Sequence, residues 1–561
     1  MMSKALSNKI IFLFILATIV VNIIQSAFTG LIFDEAYYWY FAQDLSWGYF
    51  DHPPMVALLV NLGINSFDGE LGVRLLAPFL YGINVLLLWQ LLDDDKKYKY
   101  TWLFIAFVSS VGLMVAYGFM MLPDTALVTS SLVFLWAYKR FLSEEKTINI
   151  LLLGFSMAAV MYSKYHGVLL IGFVVLSNLN LFKRAGFWLA TVFALLLYTP
   201  HLFWLYQVDF VPLKYHLFDR ADSAYRIKFT LDYLVNCIAV AGLAFPLMYW
   251  AFFKVPSKNL FDKALKYLGI GVFIFFLFSS FSRKTQAQWV ILMVIPLILF
   301  SLRYAYSHSK YRKWLLGISV FSVVLICFLR VALIYQPISP IKYEAYGNKE
   351  WVKHLQAQVK DAPVVFHNSY RDAAMYGFYS GGSTVFASND LDGRQNQFSL
   401  DSSEFKVRNK KVAFITGNHH YLIDSTLSVV QEFKTRKIRG TFINPFKTYK
   451  RIKIDVHKED FKEKVPSKFS AEIYNPYPET IPLDSLSFAA VFYDEYKRDI
   501  KTFPLIVDAG SVRLKNKEKA SLQVKIPDTV EIPEVTYFRM GILNNGTYPG
   551  FQGSRIKLEK N

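Results

Sequence analysis

What most constrains this chain is a series of apolar segments, each about as long as a bilayer's hydrocarbon core is thick. They fall near residues 9 to 28, 71 to 92, 101 to 121, 123 to 138, 148 to 163, 166 to 182, 186 to 206, 229 to 253, 265 to 282, 289 to 302 and 314 to 336, which predicts about eleven membrane-spanning helices. A wholly soluble fold is excluded, because 54% hydrophobic residues and 17% aromatics over 561 residues exceed what one water-surrounded core takes up. Residues 1 to 30 carry no small-residue cleavage site and read as an uncleaved first helix, not a signal peptide.

Lys and Arg in the short loops give the orientation. With Lys4 and Lys9 inside, the loops holding Lys96, Lys97 and Lys99, then Lys139, Arg140 and Lys146, then Lys183 and Arg184, then Lys254, Lys258, Lys263 and Lys266, then Arg303, Lys310, Arg312 and Lys313 all fall in the cytoplasm. The opposite loops hold few cations: Arg74, Lys164, Lys214, Arg220, Arg283 and Lys284. Each lies beside polar or aromatic clusters and costs something against the topology rule, which points to anion binding.

An odd number of spans exports the C-terminal part, where hydrophobicity falls. The expected organisation is a polytopic α-helical membrane domain at 1–344, a small exported α/β module at 345–455 and an exported β-sandwich at 456–561. The α/β reading rests on strand-like Pro363 to Phe366, helix-like Tyr370 to Tyr379 and strand-like Lys411 to Thr416; the sandwich rests on Leu522, Val524 and Ile526 alternating with polar residues, with Pro482, Pro504, Pro527 and Pro533 as punctuation. Cys237 and Cys327 lie in predicted helices, so no disulfide framework is expected.

Five clusters land on the outward side. They are Asp34-Glu35 with Asp51-His52-Pro53-Pro54; Pro123-Asp124; Ser163-Lys164-Tyr165-His166; the stretch from Pro200 through His201, Trp204, Asp209, Tyr215, His216 and Arg220; and Arg283-Lys284-Thr285-Gln286-Ala287-Gln288-Trp289. Such a set suits glycosyl transfer from a lipid-phosphate sugar. A carboxylate accepts the proton of an attacking hydroxyl, and fixed cations stabilise the departing phosphate. That chemistry needs no nucleotide pocket, and the chain has no glycine-rich phosphate loop.

The ordered motifs Asp34-Glu35-Ala36-Tyr37-Tyr38, Gly48-Tyr49-Phe50-Asp51-His52-Pro53-Pro54, Leu122-Pro123-Asp124-Thr125-Ala126-Leu127 and Tyr162-Ser163-Lys164-Tyr165 resemble family-39-type glycosyltransferases of the GT-C fold. That group includes the protein O-mannosyltransferases and the lipid A aminoarabinose transferases, and the resemblance covers about residues 10 to 335. It implies a polyprenyl-phosphate-linked sugar donor, inversion at the anomeric carbon and a site at the outer face of the membrane, with Asp34 as base and Pro123-Asp124 as the second acidic motif. Where the aminoarabinose transferases carry Lys-Pro-Pro, this chain has His52-Pro53-Pro54. An unperturbed imidazole is mostly neutral at pH 7, so His52 departs from the family's phosphate ligand.

The expected roles are therefore catalysis for Asp34, Glu35 and Asp124; donor-phosphate binding for His52, Arg74, Lys164, Arg220, Arg283 and Lys284; and substrate binding for His201, Tyr215, His216, Gln288 and Trp289. Blander readings stand beside these. Asp34 and Glu35 also suit a helix N-terminus, as does Asp124; Lys164 suits an interfacial anchor, Trp204, Tyr206 and Tyr215 an aromatic belt, and Arg283 and Lys284 lipid headgroups. No metal ligand set is read, since His419-His420 lacks a carboxylate or cysteine at ligand spacing. No cofactor is expected, and a divalent-metal requirement stays open.

The basic stretch Lys434, Arg436, Lys437, Arg439, Lys447, Lys450, Arg451 and Lys453 reads as a solvated face or a landing patch for anionic lipid or glycan; on the exported side it excludes nucleic acid as a partner. The functional expectation is an inverting glycosyltransferase in a bacterial inner membrane, acting on an envelope glycolipid such as lipid A. The alternatives are a protein Ser/Thr O-glycosyltransferase and a lipid-linked sugar transporter or flippase. A transporter typically shows internal repeats and midplane polar sites, which this sequence lacks.

Overall fold

The computed structural model describes residues 3–219, 224–417, 425–431, 436–461, 465–508, 510, 512–528 and 535–558. The chain forms two compact units that meet in sequence at Tyr346 and Gly347.

The first unit is helical. Helix α1 (Lys4–Phe28) opens with Ser3, whose hydroxyl accepts from the Leu6 N–H at 3.2 Å. Then come α2 (Phe33–Ala42), α3 (Met55–Ile64), α4 (Gly69–Arg74), α5 (Ala77–Leu91), α6 (Thr101–Ser109), α7 (Gly112–Ala116), α8 (Pro123–Ser143), α9 (Thr147–Ser163), α10 (Gly167–Ser177) and α11 (Ala185–Gln207). Helices Ile227–Ala241, Phe245–Lys254, Leu260–Ser279, Val294–Ser307 and Ser309–Ile334 complete the bundle.

Among the described residues, six helical stretches are long and apolar enough to cross a membrane: Lys4–Phe28, Gly69–Leu91, Ala185–Gln207, Ile227–Lys254, Ala287–Ser307 and Ser309–Ile334. Shorter apolar helices lie at Met55–Ile64, Thr147–Ser163 and Gly167–Ser177. The count of about eleven is therefore not confirmed. At residues 101 to 121 the expected single span is two short helices, because the Ser110 hydroxyl bonds the Phe107 carbonyl at 2.7 Å and Val111 leaves the helical region. Gly242, at φ +63°, lets the chain turn between Ile227–Ala241 and Phe245–Lys254.

Helix α8, expected as the span at 123 to 138, packs inside the bundle. It is buried along most of its length, and its inward hydroxyls bind neighbouring helices, as where Ser130 and Ser163 pair across α8 and α9 at 3.1 Å. Gly154 of α9 allows a similarly close approach to α11; a Cβ there would lie 2.5 Å from the Ala190 carbonyl oxygen. By contrast α1 and Ser309–Ile334 expose large apolar side chains such as Phe12, Leu13, Phe321 and Val324, as helices facing lipid do.

The second unit contains a five-stranded sheet ordered β2-β1-β3-β5-β4, from β1 (Val364–His367), β2 (Val385–Ser388), β3 (Val412–Thr416), β4 (Leu427–Gln431) and β5 (Arg436–Ile443). The first three strands are parallel, and helices Asn348–Val359 and Tyr370–Tyr379 accompany them. The expected strand–helix–strand pattern is thus present. Two four-stranded antiparallel sheets follow. One joins Asp499–Pro504, Ser487–Tyr493, Tyr537–Leu543 and Ile556–Lys557; the other joins Ile506–Asp508, Lys519–Lys525, Lys468–Tyr474 and Lys453–Val456. Leu522 and Val524 point into the core between them, as their alternation predicts. Within this unit the buried Glu404 carboxylate accepts hydrogen bonds from the Thr448 and Tyr477 hydroxyls, both at 2.8 Å. The exposed Lys437 and Arg439 lie on β5; Lys434, His419, His420 and Pro533 fall outside the described residues.

Candidate active site

The Asp34-Glu35 pair divides between two jobs. Both residues occupy the first turn of α2, where negative charge suits the helix dipole. Glu35 is fully buried and turns inward: its carboxylate accepts from the Ile32 N–H at 3.3 Å, the Met121 N–H at 3.0 Å and Arg74 Nε at 2.7 Å, with a second Arg74 contact through Nη2. Arg74, at the end of α4 and equally buried, also donates to the carbonyls of Ser26 at 3.3 Å, Thr29 and Gly30 at 3.0 Å. These contacts give both residues a structural part. Glu35 is the helix cap and buried partner of the blander reading, and Arg74 holds Glu35 and the C-terminal end of α1 instead of standing open to a phosphate.

Asp34, one residue earlier, sits half-buried on the other side of that turn. Its charge is felt at Asp124, at the start of α8 behind Pro123. Asp124 is itself buried and chelated by Lys164, whose Nζ lies 2.8 and 2.9 Å from the two carboxylate oxygens. Lys164 follows the last turn of α9. The structure therefore joins Asp124 and Lys164, with the lysine expected to bind phosphate already neutralising one of the acids.

A second group is assembled from distant loops. His52 meets the Tyr38 hydroxyl at 3.3 Å, and His216, in the π-helical turn Tyr215–Asp219, bonds the Asp51 carbonyl at 2.9 Å. Arg283 donates to the His216 carbonyl at 2.7 Å. Tyr215 packs on Phe50, with ring centroids 5.0 Å apart. His201, on α11, is fully buried with Nδ1 on the Trp47 carbonyl, and the Tyr165 ring lies 5.8 Å from His201 and 5.6 Å from His216. Trp289 is buried against His166 at 5.3 Å, Gln288 bonds Gln286 at 3.1 Å, and Lys284 is exposed. Arg220 lies outside the described residues.

Sequence reasoning passed over Tyr38, Tyr117 and Tyr165 as individual site residues. Tyr38 was legible, standing four positions after Asp34 on the same helix face. Tyr117, close enough to feel the Asp124 charge, lies beyond the break between α6 and α7, which no periodicity announces. No group of three or more His, Cys, Asp or Glu side chains with metal-binding geometry occurs among the described residues.

A helical bundle with carboxylates, cations and aromatics gathered around the α2 and α8 N-termini is the arrangement that the resemblance of the motif series to GT-C enzymes leads one to expect. Known proteins of similar sequence or fold are as follows. Residues 51–204 match the dolichyl-phosphate-mannose-protein mannosyltransferase family. The lipid A galacturonosyltransferase RgtD of Rhizobium johnstonii is 22% identical over 280 residues, an alignment spanning 47% of this chain and 58% of the relative's length. Crystal structures of ArnT from Cupriavidus metallidurans, apo and bound to undecaprenyl phosphate, share the fold with TM-scores of 0.58 and 0.57 at 12% and 13% identity. They cover 77% and 76% of this chain and 98% and 97% of their own.

Proposed function

We propose that this protein is an inverting glycosyltransferase that moves one sugar from a polyprenyl-phosphate donor to an envelope glycolipid such as lipid A, at the outer face of a bacterial inner membrane. The observation that carries the reading is the split of the acidic pair. Glu35 is locked to Arg74, while the half-buried Asp34 stands close to the Asp124–Lys164 pair. Asp34 serves as the general base toward the acceptor hydroxyl. Lys164, held on Asp124 with two of its three ammonium donors, and Arg283, beside His216, supply positive charge for the departing phosphate. His52 orients the region through Tyr38. The names of the relatives support the reading: one acts on lipid A, and another was crystallised with undecaprenyl phosphate. A protein hydroxyl as acceptor is the second reading, favoured by the family matched over 51–204.

Purified Asp34→Asn, tested with a synthetic polyprenyl-phosphate sugar, should lose about 10²- to 10⁴-fold in turnover while keeping its melting temperature. Near-normal turnover would falsify the base assignment. Mass spectrometry of envelope lipids and glycoproteins from a deletion strain separates the two acceptors: a missing sugar on lipid A supports the first reading, a missing protein glycan the second.

A further inference from the structure

At the end of the bundle away from Asp34, α1 and α5 leave a groove between them. Its walls are apolar: Ile11, Phe12, Ile15 and Ile19 from α1, Ile83 and Leu86 from α5. The space measures about 1240 Å³ including its open side. Gly82 lets the helices close in at one point, since a Cβ there would lie 3.1 Å from the Ile15 and Ile19 side chains. One end of the groove is polar, lined by Asn8, Gln90, Trp89, Tyr98 and Lys97, with no carboxylate in the lining.

That polar end is a built structure. The Trp89 indole donates to Asn8 Oδ1 at 3.1 Å, and the Ser7 hydroxyl to the Tyr98 carbonyl at 3.0 Å. Lys97 Nζ caps the end of α5 by donating to the carbonyls of Trp89 and Leu92, each at 2.8 Å, and lies over the Trp89 ring at 5.1 Å and the Tyr98 ring at 5.5 Å. An ammonium has three donors, so one remains beyond those carbonyls. The exposed Lys4 lies over the same Tyr98 ring, its ammonium 5.6 Å from the centroid. Of the nearby acids, Asp93 pairs with Lys139 at 2.6 Å and Asp94 accepts from the Lys96 N–H at 2.9 Å, while the charges of Asp93 and of Asp95, two residues before Lys97, only partly offset its burial. Burial holds the Lys97 amine down to about 8, so an anion beside it relieves an unfavourable charge.

We infer that this groove is a binding site for one anionic glycerophospholipid, its acyl chain between α1 and α5 and its phosphate between Lys97 and Lys4. An apolar trough ending in two aromatic rings and two ammonium groups matches a lipid's own division into chain, interface and charged head. The sugar donor is not the occupant. Asn8 and Phe28 are 20 residues apart on α1, so the polar end lies about 30 Å from the Asp34 end of the helix. The inference is independent of the catalytic reading.

The test is native mass spectrometry of the full chain from phosphatidylglycerol and from phosphatidylcholine nanodiscs. One retained phosphatidylglycerol is expected, with no comparable retention of phosphatidylcholine. Lys4→Gln should weaken retention about fivefold, the amount for one interfacial lysine. Leu86→Trp, which fills the trough and leaves both lysines in place, should remove the lipid, with the melting temperature reporting that each variant is folded. Equal retention in both variants, equal retention of the zwitterionic lipid, or a polyprenyl phosphate as the bound species in protein from native membranes would overturn the assignment.

Discussion

Two buried ion pairs hold the end of the bundle that carries Asp34, and they are built for different work. Glu35–Arg74 is closed: the carboxylate has both guanidinium contacts plus two backbone N–H groups, and the guanidinium directs its remaining donors to three carbonyls at the end of α1. Asp124–Lys164 is simpler, a chelated point charge between the ends of α8 and α9 with Asp34 close by. The difference lies in what each side chain can do when disturbed. Arginine cannot discard its proton, whereas a lysine and an aspartate can each neutralise when left alone. A closed pair with arginine makes a permanent fixture. An open pair with lysine leaves charge that can be redistributed when an anionic ligand arrives.

Breaking the closed pair is the harshest test. Arg74→Met leaves Glu35 buried without its counter-charge and should cost about 3–5 kcal/mol, read as a collapse of the melting temperature or of membrane expression. The double variant Glu35→Leu with Arg74→Met should recover much of that loss, because two matched apolar side chains carry no stranded charge. If the single variant is as stable as the parent, the clasp does not hold α1, α2 and α4 together.

The open pair predicts the reverse balance. Lys164→Gln should reduce use of the lipid-phosphate donor by about 1.5–3 kcal/mol, roughly ten- to a hundredfold, with a smaller stability loss than Arg74→Met, since Asp124 can take up a proton. Steady-state kinetics with varied donor, alongside thermal melts, checks both halves. An effect confined to acceptor saturation would move Lys164 from the phosphate to the acceptor. The mildest expected change is Arg283→Lys, which keeps the charge and loses the planar fork; it should fall short of the parent by less than about tenfold and outperform Arg283→Gln. Equal activity of the lysine and glutamine variants would show that charge at this position is irrelevant.

How far the sequence reached is clearest along the chain itself. The apolar segments exposed the membrane bundle, and the alternation at Leu522 and Val524 exposed the sandwich, because helical and strand periods follow directly from which side chains must leave water. Helix α8 was legible as the apolar segment at 123 to 138, but not that its threonines and serines would face the interior of the bundle. Residues 101 to 121 read as one span, since the serine hydroxyl that breaks it is invisible to hydropathy.

The candidate site shows the same boundary. Spacing alone marked Asp34, Glu35, Asp51, His52, Asp124 and Lys164 as residues whose placement at helix ends needs a chemical reason. Sequence also determined that adjacent residues on a helix point about 100° apart, so Asp34 and Glu35 were bound to face different surroundings. Which of them met Arg74 was decided by α4, 39 positions away in the chain, and which cation neutralised Asp124 by the end of α9, 40 positions away. Charge pairing is a matter of distance through space, and only the packed bundle sets those distances.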